Sequence, residues 1–195
     1  MRAKSNYIDP EQFDEIIAAI PNLQIRKWNN IDVEYLFKMS YWCGLRMKEA
    51  CKLKKEDFDL LGNEVYLGLT KKKKNQYAPI PLPFTQDLEQ YLATKQKGSL
   101  LPECNPQIVR VWVRRLGKML DIPAWTTPQA VTGEKTLTHI FRKSIGKSML
   151  YGVHGKKAPL NVVQKHLRHS SLNTTSKYLQ VGIEDVKDWW ESSKN

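Results

Sequence analysis

The sequence has no apolar run close to the ~20 residues that a membrane-spanning helix requires. Its three cysteines, Cys43, Cys51 and Cys104, form no CxxC pair and are too few for a disulfide framework. The histidines, cysteines and carboxylates do not follow the spacing of a metal site. These absences argue against a membrane protein, a secreted disulfide-rich domain and a metalloprotein. They predict a protein without metal or other cofactor that works in a reducing cytoplasm.

Positive charge is abundant by contrast. The chain has 31 Lys and Arg residues against 20 Asp and Glu residues, which gives a net charge of +11. Such an excess attracts polyanions and releases counterions when DNA or RNA binds, although an anionic membrane surface would also be attracted. Since 41% of the residues are hydrophobic, a packed core can form. Composition therefore favours a globular protein whose partner is a nucleic acid.

Hydrophobic periodicity predicts a chain of helices interrupted once by strands. Helices are expected over residues 29–42, 46–53, 85–95, 106–120, 138–150, 159–167, 171–179 and 183–191. Between the second and third of these, residues 58–67 have the pattern of a strand, a Gly-Asn turn and a second strand. Residues 77–82 form a third strand, and its prolines, Pro79 and Pro81, place it at the sheet edge. The predicted fold class is mainly α with a small three-stranded antiparallel β-sheet.

Four short segments carry reactive or phosphate-binding side chains. The first is Cys43-Gly-Leu-Arg46-Met-Lys-Glu49-Ala, and the second is the lysine-rich turn at residues 70–76. The third and fourth are Leu137-Thr-His139-Ile-Phe-Arg142-Lys and Leu167-Arg-His169-Ser-Ser-Leu-Asn-Thr-Thr-Ser-Lys-Tyr178.

These residue types suit cleavage of a phosphodiester, which needs a nucleophile, neutralisation of the phosphate charge and a proton for the leaving oxygen. Arg46 and Arg142 each offer a planar fork of donors that matches phosphate oxygens. His139 and His169 can donate to the same phosphate or assist the tyrosine proton. Tyr178 is the candidate nucleophile. We expect Glu49 to orient Arg46 rather than to react.

In order and content the four segments resemble the conserved boxes of the tyrosine recombinases, which include phage integrases and Xer-type recombinases. The resemblance extends from about Asp32 to Tyr178. It implies a catalytic domain that cleaves and rejoins DNA at specific sites through a 3′-phosphotyrosyl intermediate on Tyr178, without metal or ATP. It further implies that a hairpin lysine, Lys71 or alternatively Lys73, protonates the leaving 5′ oxygen. The expected partners are double-stranded DNA and three further copies of the chain on paired DNA sites, with a monomer free in solution.

Arg168 departs from the family pattern because it stands where a glycine is usual. The sequence leaves open whether this residue adopts ordinary helical geometry or adds a phosphate contact. Further candidates for DNA binding share a position in or beside the basic segments; they are Lys72, Lys74, Arg110, Arg114, Lys143 and Arg168.

Other functions remain open for the same residues. A type IB topoisomerase or a telomere resolvase would use the same site chemistry on a different assembly. A noncatalytic DNA-binding relative would keep the fold without the reaction.

Residues 1–195 are expected to form a single catalytic domain, in which residues 1–30 are an N-terminal segment or linker. The N-terminal domain with which full-length family members clasp DNA is expected to be absent. Residues 181–195 are predicted to form a C-terminal helix that bears Trp189 and Trp190. This helix either packs on its own domain or is exchanged between subunits.

Overall fold

The computed structural model describes residues 7–23, 25, 27–69, 74–101, 104–122, 125 and 137–179. The strands are β1 (Phe58–Asp59), β2 (Glu64–Leu69) and β3 (Asn75–Pro79). The helices before the sheet are α1 (Pro10–Ala19), α2 (Asn30–Trp42) and α3 (Met47–Ala50), and those that follow it are α4 (Leu82–Ala93), α5 (Pro106–Met119), α6 (Ile140–Tyr151), α7 (Leu160–His166) and α8 (Leu172–Leu179). The predicted fold class is confirmed. The predicted C-terminal helix lies outside the described residues.

Capping side chains fix where two of the longer helices begin. The side chain of Asn29 accepts a hydrogen bond from the Ile31 amide at 2.9 Å, so α2 starts one residue later. Asn105 caps α5 in the same way, with Pro106 in the first turn where its missing N–H has no cost. Asn29 is therefore the N-terminal cap of α2.

Helix α1 lies within residues 1–30, where periodicity predicts neither a helix nor a strand. Asp9 and Gln12 form a reciprocal capping box around Pro10. Phe13 is buried and stacks on Tyr41 of α2, with 4.0 Å between the ring centroids. The first 30 residues thus contribute a helix to the core, and they are more than a linker.

The sheet is a meander in the order β1-β2-β3 with antiparallel neighbours. Its central strand pairs Val65 with Phe58 on one side and with Ala78 on the other. Asn63 closes the first turn with a φ of +52°, a value that asparagine tolerates better than most residues. Strand β3 begins and ends earlier than predicted, but its place at the sheet edge is confirmed.

The centre of the core is the contact between α2 and α6. Phe37 and Phe141 are fully buried and stack with 4.7 Å between their ring centroids. A single 3-10 turn, Leu137–His139, leads into α6, so the packing of α6 fixes the residues at its start. Among the described residues, no helix is long and apolar enough to cross a membrane.

Candidate active site

Five residues with predicted catalytic roles lie on three segments that meet in the fold. These segments are the turn before α3, the start of α6, and the stretch from the end of α7 through α8. The five residues are Arg46, His139, Arg142, His169 and Tyr178. The sixth, the hairpin lysine, is Lys71 or Lys73, and both lie outside the described residues together with Lys72.

Tyr178 contacts the segment at the start of α6 and, within its own segment, His169. Its hydroxyl donates a hydrogen bond to the backbone carbonyl oxygen of His139 at 3.2 Å. Its ring meets the ring of His169 edge-on, with 4.9 Å between the centroids and an angle of 82°. The candidate nucleophile therefore lies between the two candidate histidines of its own chain.

Arg142 is buried and hydrogen-bonds to the two other segments of the site. Its side chain is buried, with 1% of the residue exposed, and its guanidinium donates to the carbonyl oxygens of Gly44 and Leu167. Burial, together with the nearby cations Arg168 and Arg46, lowers the pKa of Arg142 to about 9. A buried guanidinium that bridges two loops holds the backbone on which the other site residues stand.

Arg46 is the more exposed of the two predicted phosphate-binding arginines. Its side chain is 40% exposed, and its Nη1 donates to Glu49 Oε1 at 2.8 Å. The other carboxylate oxygen, Oε2, accepts from the backbone amide of Arg46 at 2.7 Å. This geometry suits the orienting role that the sequence predicts for Glu49, because its carboxylate accepts hydrogen bonds from both the backbone amide and the guanidinium of Arg46.

Both histidines are held in the neutral form by their surroundings. Burial lowers the pKa of His169 to about 4, and the positive charges of Arg142, Arg46 and Arg168 act in the same direction. The pKa of His139 is also lowered, first by burial and then by Arg142. A neutral imidazole at neutral pH can accept a proton.

The ring of His169 is held at its Nδ1 atom by Thr175. The hydroxyl of Thr175 lies 3.1 Å from His169 Nδ1 and 3.3 Å from the carbonyl oxygen of Ser171, and it can hydrogen-bond to both. When its single proton is directed at Ser171, Nδ1 donates to the hydroxyl and Nε2 keeps its lone pair. Thr175 was not singled out by sequence reasoning, although it lies in the fourth box.

Two residues that the sequence predicts to bind DNA are buried instead. Lys143 has 8% of its surface exposed, and the side chain of Arg168 is 7% exposed. A buried cation that moved out to a phosphate would leave its partners in the protein unpaired. Neither side chain is available to DNA in this structure, and these two predicted contacts are corrected.

The structure places the remaining basic candidates differently. Arg114 of α5 and Lys74, which precedes β3, are exposed. Arg110 of α5 is half-buried and is close enough to His139 to help lower its pKa. Arg110 on helix α5 therefore lies near the site.

Most of the chain matches a known protein family. Residues 6–184 match the model of the Phage integrase family. The chain belongs to the phage integrase family. The resemblance that the four boxes carry is therefore confirmed.

Curated relatives of this phage integrase family member are tyrosine recombinases. XerC of Chlorobaculum parvum is 28% identical over 179 residues, which cover 87% of this chain and 51% of the relative. XerA of Thermococcus onnurineus is 26% identical over 187 residues, which cover 94% of this chain and 61% of the relative. The chain thus spans between half and two thirds of the length of these relatives.

Solved structures share the fold. A XerA recombinase superposes with a TM-score of 0.68 at 18% identity, over 97% of this chain and 64% of that one. The site-specific recombinase XerH, bound to palindromic difH substrate in a post-cleavage complex, gives 0.69 at 19% identity, over 98% and 53%. The catalytic domain of bacteriophage HP1 integrase gives 0.61 at 21% identity, over 89% and 86%.

Proposed function

We propose that this chain is the catalytic domain of a site-specific DNA recombinase that cleaves and rejoins DNA through a covalent bond to Tyr178. The observation that carries the proposal is the placement of the Tyr178 hydroxyl, 3.2 Å from the His139 carbonyl oxygen, in a site that also holds His169 and Arg46. The family to which the chain belongs and its net charge of +11 support double-stranded DNA as the substrate.

In the proposed cleavage step, the phenolic oxygen of Tyr178 attacks the phosphorus of a backbone phosphate. The P–O bond to tyrosine forms while the bond to the 5′ oxygen breaks. The phenolic proton passes to a neutral imidazole, and the leaving 5′ oxygen takes a proton from Lys71, or from Lys73 in the alternative assignment. A 5′ hydroxyl of another strand reverses the step, so the bond energy is conserved and no ATP is needed.

The arginines have different parts in this reaction. Arg46, with 40% of its side chain exposed, binds the non-bridging oxygens of the phosphate as a planar fork. Arg142 supplies positive potential from its buried position, where the exclusion of water strengthens its effect on the negative charge that develops on the phosphate. The N–H of a histidine adds a further donor for the phosphate. Assembly of four chains on paired sites and association with DNA in the cytoplasm are parts of the same proposal.

Trapping of the covalent intermediate tests the proposal. A pool of supercoiled plasmids with randomised inserts is incubated with the protein in EDTA at low salt, then denatured with SDS. We expect relaxed DNA and an SDS-resistant protein–DNA adduct, both lost in Tyr178→Phe. DNA binding without any adduct across the pool would contradict the proposal and favour a noncatalytic DNA-binding protein.

A further inference from the structure

Arg168 occupies a backbone position that normally favours glycine. It follows the last turn of α7 with a φ of +51°. Its amide donates to the Lys165 carbonyl oxygen, and the amide of His169 donates to the Gln164 carbonyl oxygen, both at 3.0 Å. This pair of hydrogen bonds is the Schellman closure of a helix, in which the left-handed residue is usually glycine. The turn itself therefore gives no reason for an arginine.

The side chain of Arg168 is directed into the protein, where its two terminal nitrogens meet four acceptors. Its Nη1 donates to the carbonyl oxygens of Cys43 at 3.3 Å and His166 at 3.2 Å. Its Nη2 donates to the carbonyl oxygen of Gly44 at 3.0 Å and to Oε2 of Glu49 at 2.8 Å. The third nitrogen of this side chain, Nε, is buried and has no hydrogen-bond partner among the described residues. A guanidinium with four such contacts is held in one geometry.

These contacts connect the fourth box to the first. Glu49 shares its carboxylate between two arginines, since Oε1 accepts from Arg46 Nη1 and Oε2 accepts from Arg168 Nη2, each at 2.8 Å. Arg168 also holds the turn at Cys43 and Gly44, from which the chain enters the Arg46 segment. The residue that precedes His169 thus touches both the backbone and the carboxylate that orient Arg46.

We propose that Arg168 is a positioning residue for the proposed cleavage, which fixes Glu49 and through it the guanidinium of Arg46. The inference rests on the proposed function, but its physical content is the rigidity of Arg46. A glycine at this position would preserve the turn and leave Glu49 with Arg46 as its partner on the same short helix. The long, partly exposed side chain of Arg46 would then sample more rotamers, and fewer of them would meet the phosphate.

Arg168→Gly is the matched variant, because glycine accepts the left-handed backbone without strain. We expect a lower melting temperature, because the variant leaves the buried acceptors of Arg168 without this donor. At a temperature at which both proteins are fully folded, DNA affinity should stay close to that of the wild type and adduct formation should be about tenfold slower, as the loss of a charge-assisted hydrogen bond predicts. Guanidinium ion at a concentration too low to denature the protein should restore much of the rate in the variant and none in the wild type. A merely structural role would not respond to that ion.

A second measurement examines Arg46 without any DNA cleavage. In a protein labelled with ¹⁵N-arginine, the Nε–H signal of Arg46, assigned with Arg46→Lys, reports how rigidly the side chain is held. We expect its order parameter to fall in Arg168→Gly. If the wild type forms no adduct, the proposed function fails, and this signal still decides the role of Arg168. An unchanged Arg46 signal, or a rate loss in the folded variant that guanidinium ion does not reverse, overturns the inference.

Discussion

The phenolic oxygen of Tyr178 lies 3.2 Å from the backbone carbonyl oxygen of His139, to which it donates a hydrogen bond. Helix α8 thus places the candidate nucleophile in the site formed by its own chain. To attack a phosphate, the hydroxyl has to leave this carbonyl and release its proton. The carbonyl is a resting partner for the hydroxyl, and the neutral histidines beside it are the candidate acceptors of the proton.

This placement predicts cleavage in cis. Tyr178→Phe lacks the proposed nucleophile and Arg46→Ala lacks the proposed phosphate-binding side chain, so neither variant alone should form an adduct. We expect their mixture to be equally inactive, because an intact tyrosine and an intact site never lie in the same chain. The measurement is the yield of SDS-resistant adduct on a trapped substrate. Recovery of adduct in the mixture would show that a neighbouring chain donates the tyrosine.

The two predicted phosphate-binding arginines should differ in their effect on stability. Arg142→Ala removes the guanidinium donor of the buried Leu167 carbonyl oxygen and leaves the Gly44 carbonyl oxygen with Arg168 alone; a buried acceptor that loses its donor costs about 1–3 kcal/mol. Arg46→Ala removes a partly exposed ion pair with Glu49, which is worth about 1 kcal/mol or less. Urea unfolding of both variants measures the difference. Equal losses of stability would contradict the buried, bridging position of Arg142.

The contact between His169 and Thr175 gives a third prediction. Thr175→Val removes the hydrogen-bond partner of His169 Nδ1, and valine fits the same space, which is fully buried. We expect adduct formation to slow by roughly tenfold, as for loss of one hydrogen bond to a catalytic group, with unchanged DNA affinity. Thr174→Val is the matched control, since the Thr174 hydroxyl is exposed and contacts Ser171. Equal rates for the two valine variants would refute this role of the contact.

Stability should fall on mild acidification because His166 is buried in the neutral form. Burial lowers its pKa to about 4, and Arg168 and Arg142 act in the same direction. In the unfolded chain the pKa is about 6.5, so the unfolded state binds more protons between these values and is stabilised relative to the folded state as the pH falls. The stability that neutral His166 contributes is present above about pH 6.5 and is lost progressively down to about pH 4.

Urea midpoints across this range measure the effect, with His166→Asn as the comparison. Asparagine keeps a donor for the Trp42 carbonyl, which the imidazole now bonds, but it does not titrate. The variant should show a shallower decline of stability with falling pH. Parallel curves for the wild type and the variant would assign the acid sensitivity to other groups, among them His169.

Local signals in the sequence predict many of the helices and strands of this fold. The features that they do not predict depend on contacts between residues far apart in the sequence. The helix at Asn30–Trp42 and the edge position of β3 follow from periodicity and from proline. Helix α1 has its own local signal in the sequence, the capping box formed by Asp9 and Gln12 around Pro10.

The candidate site divides in the same way. Its residue types and order follow from the four boxes, but the burial of Arg142 and Arg168 does not. Glu49 lies 119 positions from Arg168 in the sequence, and no local pattern indicates that their side chains meet. The family glycine does hint at a left-handed backbone at position 168. It gives no information on where a side chain there would be directed.

The most direct test of covalent cleavage by Tyr178 is to identify the bond in a trapped adduct. The adduct is digested with nuclease and protease, and mass spectrometry locates the residual nucleotide on the protein, while end labelling determines which DNA end is blocked. We predict a nucleotide on the peptide that contains Tyr178, joined through a 3′ phosphate, with a free 5′ hydroxyl on the other end. A nucleotide on any other residue, or a linkage through the 5′ phosphate, would contradict the proposed mechanism.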